Sequence, residues 1–217
     1  MGYQAALFDF DGTVFDTVEG ITKSIRYALN KHGVDAPLEA LRCFAGPPLV
    51  DKFMEVYGVT QPEAEQLVLD FRERYVPVGV YESAPFPGIE ALLRELRQAG
   101  LILGVATSKP QAMAELLLGR SGLADCFDVI VGSRPGLNND KKEQIVRQAM
   151  ALCGAVPEDT VLVGDTKYDV LGAAACGIGC IGVRWGYAAP GELEAAGALQ
   201  IVGDPEELKR LLTAPAH

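Results

Sequence analysis

The sequence predicts an α/β protein: a doubly wound parallel-sheet core, interrupted after its first strand by an all-helical insertion. Three observations carry this. Short apolar runs without alternation occur at 5–10, 101–106, 127–131, 160–163 and 180–183, with a weaker one at 199–202. Such runs suit strands buried on both faces, as in a parallel sheet. Helical patterns separate them from about residue 85 onward, the alternation expected of a doubly wound fold. Between the first run and residue 84, by contrast, every pattern is helical.

Taken in order, the first strand reads AALFDF at 5–10 and ends among acids. Helical patterns follow at 21–32, 38–44, 48–57 and 61–75, and Pro85, Pro87 and Gly88 punctuate their end. The expected organisation is a core of residues 1–15 and 85–217 with a helical unit, 16–84, inserted in it. Within the core, helices are expected at 88–99, 111–118, 142–152 and 168–175, each between two of the apolar runs. No internal repeat and no low-complexity segment is present.

Composition narrows the function classes. A chain of 217 residues with 49% apolar and 22% charged residues has enough core to fold without disulfides or metal. The 19 basic and 29 acidic side chains leave −10, which argues against nucleic acid or anionic lipid as a partner. Any phosphate site must then be built locally. Five cysteines form no CxxC pair, no basic-then-apolar leader opens the chain, and no apolar run approaches the roughly 20 residues of a membrane span. The expectation is a cytoplasmic protein with free thiols and no membrane contact, a monomer or weak homodimer. With only His32 and His217 available, most histidine-based catalysis and zinc chemistry drop out, and carboxylates must carry the reaction.

In open α/β sheets ligands bind beyond the carboxyl ends of the strands. The first strand is followed there by Asp9-Phe10-Asp11-Gly12-Thr13 and the second by Thr107-Ser108-Lys109. After the third, a glycine-containing loop leads to Lys141 and Lys142, and after the fourth comes Gly164-Asp165-Thr166-Lys167-Tyr168-Asp169. Oxygen donors without histidine or cysteine suit Mg²⁺, which relieves the repulsion of crowded carboxylates. A lysine and hydroxyl donors then neutralise phosphate oxygens. One aspartate is left to attack phosphorus and a second, two residues on, to serve the leaving group as acid.

At these residues the chain resembles the haloacid dehalogenase superfamily. DFDGTVFD resembles its first motif, Thr107-Ser108 its second, Lys142 with Ile145 and Val146 its third, and GDTKYD its fourth. The wording AGPPL at 45–49, PFPG at 85–88 and ATSKP at 106–110 is similar to the phosphoglycolate-phosphatase-like subgroup. The resemblance implies a Rossmann-like core with a C1 helical cap. It implies a Mg²⁺-dependent phosphatase acting on a small phosphorylated metabolite through an aspartyl-phosphate. By position, Asp9 is the implied nucleophile and Asp11 the acid/base. Asp9, the main-chain carbonyl of Asp11, Asp165 and Asp169 are the implied metal ligands. Thr107, the Ser108 amide and Lys142 are the implied phosphoryl ligands. The third-motif lysine usually precedes proline, so Lys141 competes with Lys142; the apolar pair downstream favours Lys142. The loop 134–140 is longer and less basic than the pattern leads one to expect. A 5′-nucleotidase, a pyrophosphatase and a sugar-phosphate mutase share these motifs and stay open as alternatives. A phosphorylated receiver module is about half this length and lacks the insertion.

Other features have plainer readings. Asp16 is expected to cap the first inserted helix rather than to serve as a ligand. Gly46-Pro47-Pro48 is either a helix stop and start or, on the resemblance, a specificity loop. Arg26 and Arg42 are candidate contacts for a substrate carboxylate, against the plainer reading of solvated helix faces. Cys176–Cys180 reads as a helix end entering a strand. Gly177, Gly179 and Gly182 spell a dinucleotide fingerprint in reversed context, helix before strand. Trp185 reads as loop packing and His32 as a helix-end imidazole.

Overall fold

The computed structural model describes residues 2–134 and 140–214. The elements run β1 (Ala5–Phe8), β2 (Phe15–Asp16), α1 (Val18–Lys31), α2 (Leu49–Tyr57), α3 (Gln61–Tyr75), β3 (Ala84–Pro85), α4 (Ile89–Gln98), β4 (Ile102–Pro110), α5 (Gln111–Ser121) and β5 (Val129–Ser133). They continue as α6 (Lys142–Cys153), β6 (Thr160–Gly164), α7 (Lys167–Ala175), β7 (Gly179–Val183), α8 (Glu192–Ala196), β8 (Gln200–Val202) and α9 (Pro205–Leu212). Six strands form one parallel sheet in the order β5-β4-β1-β6-β7-β8. β1 sits between β4 and β6, where the winding reverses direction, which is where an open α/β sheet binds its ligand.

Both faces of the sheet are covered, which is why its strands read as unbroken apolar runs. Ala6, Phe8, Leu103, Val105, Val161 and Val163 belong to a core shared with α4, α5 and α9. Leu7, Val131, Leu162 and Cys180 face the other way, into a core with α6 and α7. Among the described residues no helix is long and apolar enough to cross a membrane.

Two differences from the sequence reading lie in the insertion. Residues Leu38–Phe44 form a 3₁₀ helix rather than an α-helix. The chain leaves and re-enters the core through β2 and β3, which pair antiparallel, Phe15 with Pro85 and Asp16 with Ala84. Strands of two residues carry no periodic signal, so this neck was not legible. The stacked rings of Phe10 and Phe15, with centroids 4.6 Å apart, brace it from the core side. Residues 135–139, most of the loop judged long and poorly basic, lie outside the described residues.

Within the insertion α1 packs on α3, and one buried acid ties their ends. Asp70 is 2% exposed and receives the Lys31 ammonium and His32 Nε2, the latter at 2.7 Å. Burial opposes its charge, yet these partners outweigh burial and hold the carboxyl below the ordinary value. An acid with a depressed folded-state pKa adds stability above its unfolded value of about 4 and loses it as pH falls through the folded value. Asp70→Asn is therefore expected to lower Tm at pH 7 and to shrink the acid-induced loss of stability. Melts of both proteins from pH 7 to pH 3 test this; parallel curves refute it.

Candidate active site

The chain beyond β1 turns sharply and carries the first two acids with it. Asp9 N–H donates to Val163 O at 2.8 Å, continuing the ladder with β6 for one more residue. Phe10 O then accepts from Val14 and Phe15, at 3.0 and 2.9 Å, closing a tight loop. Gly12 sits in that loop at φ 83°, and a Cβ there would lie 2.1 Å from Asp165 Oδ2. Both the left-handed backbone and the close approach of a carboxylate demand glycine.

Asp165 follows β6 and is fully buried. Thr13 Oγ1 donates to its Oδ1 at 3.0 Å and Tyr187 N–H to its Oδ2 at 2.8 Å. Asp169 lies in the first turn of α7, where its Oδ2 accepts from Thr166 N–H and Oγ1 at 3.0 and 2.9 Å, a capping box. That bond aims its Oδ1 at Lys142 Nζ, 2.7 Å away. Lys142 opens α6 and also reaches Asp9 Oδ1 at 2.7 Å. Gly172 of α7 clears its path, since a Cβ there would lie 2.6 Å from Lys142 Cγ. Lys141 stays outside as the exposed N-cap of α6.

Asp9, Asp165 and Asp169 thus each offer an oxygen within 4.8 Å of the others. One ammonium faces three buried carboxylates. Burial, chiefly, and the neighbouring acids lift the Asp9 carboxyl to about 6, against the pull of Lys142. The same causes push Asp165 well above its usual range. Lys142, though buried, is held above the usual lysine value by Asp169 and Asp9. A cluster of hard oxygen donors with surplus negative charge fits a divalent cation such as Mg²⁺.

Asp11 is not in that cluster. Its carboxylate pairs with Lys109 Nζ, at 2.9 and 3.3 Å. Thr107, Ser108 and Lys109 leave β4 in a bulge, because Ala106 pairs with Val131 while Pro110 pairs with Ser133. Four residues of β4 therefore match two of β5, and the excess re-aims the side chains between them. Thr107 is buried, Ser108 half-buried, and Lys109 N–H bonds Thr107 Oγ1 at 3.2 Å.

Above these groups opens a cavity continuous with solvent. Its floor holds Asp9, Asp11, Thr107, Ser108 and Lys109, and its wall is largely the insertion: Phe44, Leu49, Val68, Phe71, Arg72 and Tyr75. Gly46, Pro47 and Pro48 also line it, whereas Arg26 and Arg42 do not. Asp16 Oδ1 accepts from Val18 N–H at 3.2 Å at the start of α1 and from Tyr187 Oη at 2.9 Å. Trp185 Nε1 donates to Thr13 O at 3.0 Å and braces the first loop. Sequence reasoning gave no separate role to Lys109, Tyr75, Arg72 or Tyr187. Only Lys109, directly after Thr107-Ser108 at a strand end, carried a usable signal.

Known proteins are similar to this chain in sequence and fold. A model of the haloacid dehalogenase-like hydrolase family matches residues 6–183. A 5′-nucleotidase of Pseudomonas aeruginosa is 37% identical over 97% of this chain and 96% of its own. A plasmid-encoded phosphoglycolate phosphatase of Cupriavidus necator is 34% identical over 96% of this chain and 93% of its own. A crystal structure described as a predicted phosphatase from Clostridium acetobutylicum superposes with a TM-score of 0.93 at 39% identity, covering 97% of this chain and 98% of the other.

Proposed function

The chain belongs to the haloacid dehalogenase-like hydrolase family, as a phosphatase-type member, and from that premise we propose that it is a Mg²⁺-dependent phosphatase working through an aspartyl-phosphate. The observation that carries the reading is the buried trio Asp9, Asp165 and Asp169, with Lys142 bridging Asp9 and Asp169, beside the Thr107-Ser108 bulge. Asp9, Asp165, Asp169 and the Asp11 carbonyl would hold Mg²⁺, which neutralises phosphoryl oxygens when bound. Asp9 attacks phosphorus, forming an O–P bond as the ester O–P bond breaks. Asp11 gives its proton to the departing alkoxide, then takes one from the water that hydrolyses the aspartyl-phosphate. Thr107, the Ser108 amide and Lys142 bind the phosphoryl oxygens and stabilise the charge that spreads over them in the transition state.

The substrate is a small phosphate monoester, phosphoglycolate-like in the first reading. A second reading, a nucleoside 5′-monophosphate, is favoured by the cavity wall: Phe44, Phe71, Val68 and Leu49 offer an apolar, partly aromatic surface that suits a flatter leaving group than glycolate. A phosphate-release screen over phosphoglycolate, nucleotides, sugar phosphates and pyrophosphate, with and without Mg²⁺, separates these. Release from monoesters only with Mg²⁺ is expected; no release from any monoester refutes the reading.

Residues 16–84 form a cap over a core of 1–15 and 85–217 in this reading. Its support is that both chain crossings meet in the β2–β3 pair and that a site excluding water needs a part that opens. Exchanging the insertion for a short Gly/Ser linker should leave a core that melts cooperatively and still cleaves small aryl phosphates. A core unable to fold would refute the division.

A further inference from the structure

Lys109 has no part in the chemistry described so far, yet it is among the most enclosed charges of the molecule. Its side chain is 3% exposed. Besides both oxygens of Asp11, its ammonium meets Tyr75 Oη at 2.6 Å and sits 5.6 and 5.1 Å from the ring centroids of Phe10 and Tyr75. The fold makes room for this. The bulge in β4 supplies the extra residues, and Gly132 opposite admits it, since a Cβ there would lie 2.6 Å from the Lys109 carbonyl oxygen. A desolvated lysine is costly unless paired, so its retention here invites a task.

We propose that Lys109 is a positioning residue for Asp11, and that Tyr75 of α3 holds Lys109 in place. The proposal rests on the phosphatase reading above. Asp11 stands two residues from Asp9 and next to a cluster that attracts a divalent cation. With no counter-charge of its own, its carboxylate would be drawn to that cation and lost as a proton carrier. Lys109 supplies the competing charge and keeps Asp11 facing the cavity, where the leaving group must lie. Because Tyr75 comes from the insertion, the seating of α3 over the cavity also sets the aim of Asp11.

The test is a double-mutant cycle read on two substrates. A leaving alkoxide needs the proton of Asp11, while p-nitrophenolate, stable as an anion, needs it little. Lys109→Met should lower kcat/KM for an alkyl phosphate by about 10²-fold, the lower part of the range for general-acid assistance. For p-nitrophenyl phosphate the loss should be several-fold at most, with KM little changed on either. In an Asp11→Ala background, adding Lys109→Met should cost the alkyl substrate nothing further. Tyr75→Phe should show the same substrate preference at smaller amplitude, and it carries the comparison if thermal melts show that Lys109→Met fails to fold. Equal losses on both substrates, or losses that multiply in the double variant, overturn the proposal and place Lys109 on the phosphoryl group itself. A wild-type enzyme inactive on both substrates overturns the phosphatase reading, a result visible before any variant is made.

Discussion

Asp9→Asn should abolish phosphate release from every substrate together, by about 10⁴-fold or more, the scale on which enzymes with covalent intermediates lose activity when the nucleophile goes. The substitution keeps the shape of the side chain and removes its charge, so the loss should appear in kcat rather than in folding. Stability should move the other way. The folded state lifts the Asp9 carboxyl from 3.8 to about 6, so its ionisation opposes folding. That cost is absent below pH 4, where the acid is protonated folded and unfolded, grows between pH 4 and 6, and is complete above 6. Metal-free Asp9→Asn should therefore melt higher than wild type at pH 7 and alike at pH 3.5. Retained turnover would remove Asp9 as nucleophile; identical melts at pH 7 would show that Lys142 fully compensates its charge.

Chelation should have the next largest effect. Of three buried carboxylates within 4.8 Å of one another, Lys142 pairs with Asp9 and Asp169 only, an imbalance that a divalent cation corrects. Phosphate release should disappear in excess chelator and return with Mg²⁺ or Mn²⁺. Ca²⁺ should not restore it. It takes more oxygens in a looser geometry, which would engage the second oxygen of Asp9 as well and leave none free to attack phosphorus. A second readout does not depend on turnover: Mg²⁺ at 100 times its Kd should stabilise the fold by about 2.7 kcal/mol, so Tm should climb with Mg²⁺ concentration and this climb should be lost in Asp165→Asn. Full activity in chelator would sink the metal reading.

The parts of this protein legible in its sequence are those set by local pattern. Apolar runs marked β1 and β4 to β8 because a strand covered on both faces has no polar side to alternate with. Once strands were placed, parallel winding brought their carboxyl ends to one edge, so Asp9, Thr107, Lys142, Asp165 and Asp169 could be grouped without coordinates. The two-residue strands of the neck and the 3₁₀ geometry of Leu38–Phe44 were not legible, being too short to repeat or dependent on what surrounds them.

By itself, then, the sequence determined the doubly wound core, the helical character of the insertion and which residues meet at the sheet edge. Tertiary structure alone decided how those residues are partnered. It set Lys142 against Asp9 and Asp169, with Gly172 of α7 beneath it, and left Lys141 in solvent. It separated Asp11 from the acids beside it and gave it Lys109, 98 residues away, through a bulge that shows only when β4 is laid against β5. It set Tyr75 and Arg72 of α3 at the cavity, whereas Arg26 and Arg42 do not line it. The reason is physical: periodicity and motif report what a segment buries, a local property, whereas an ion pair forms where packing removes water from two distant charges at once.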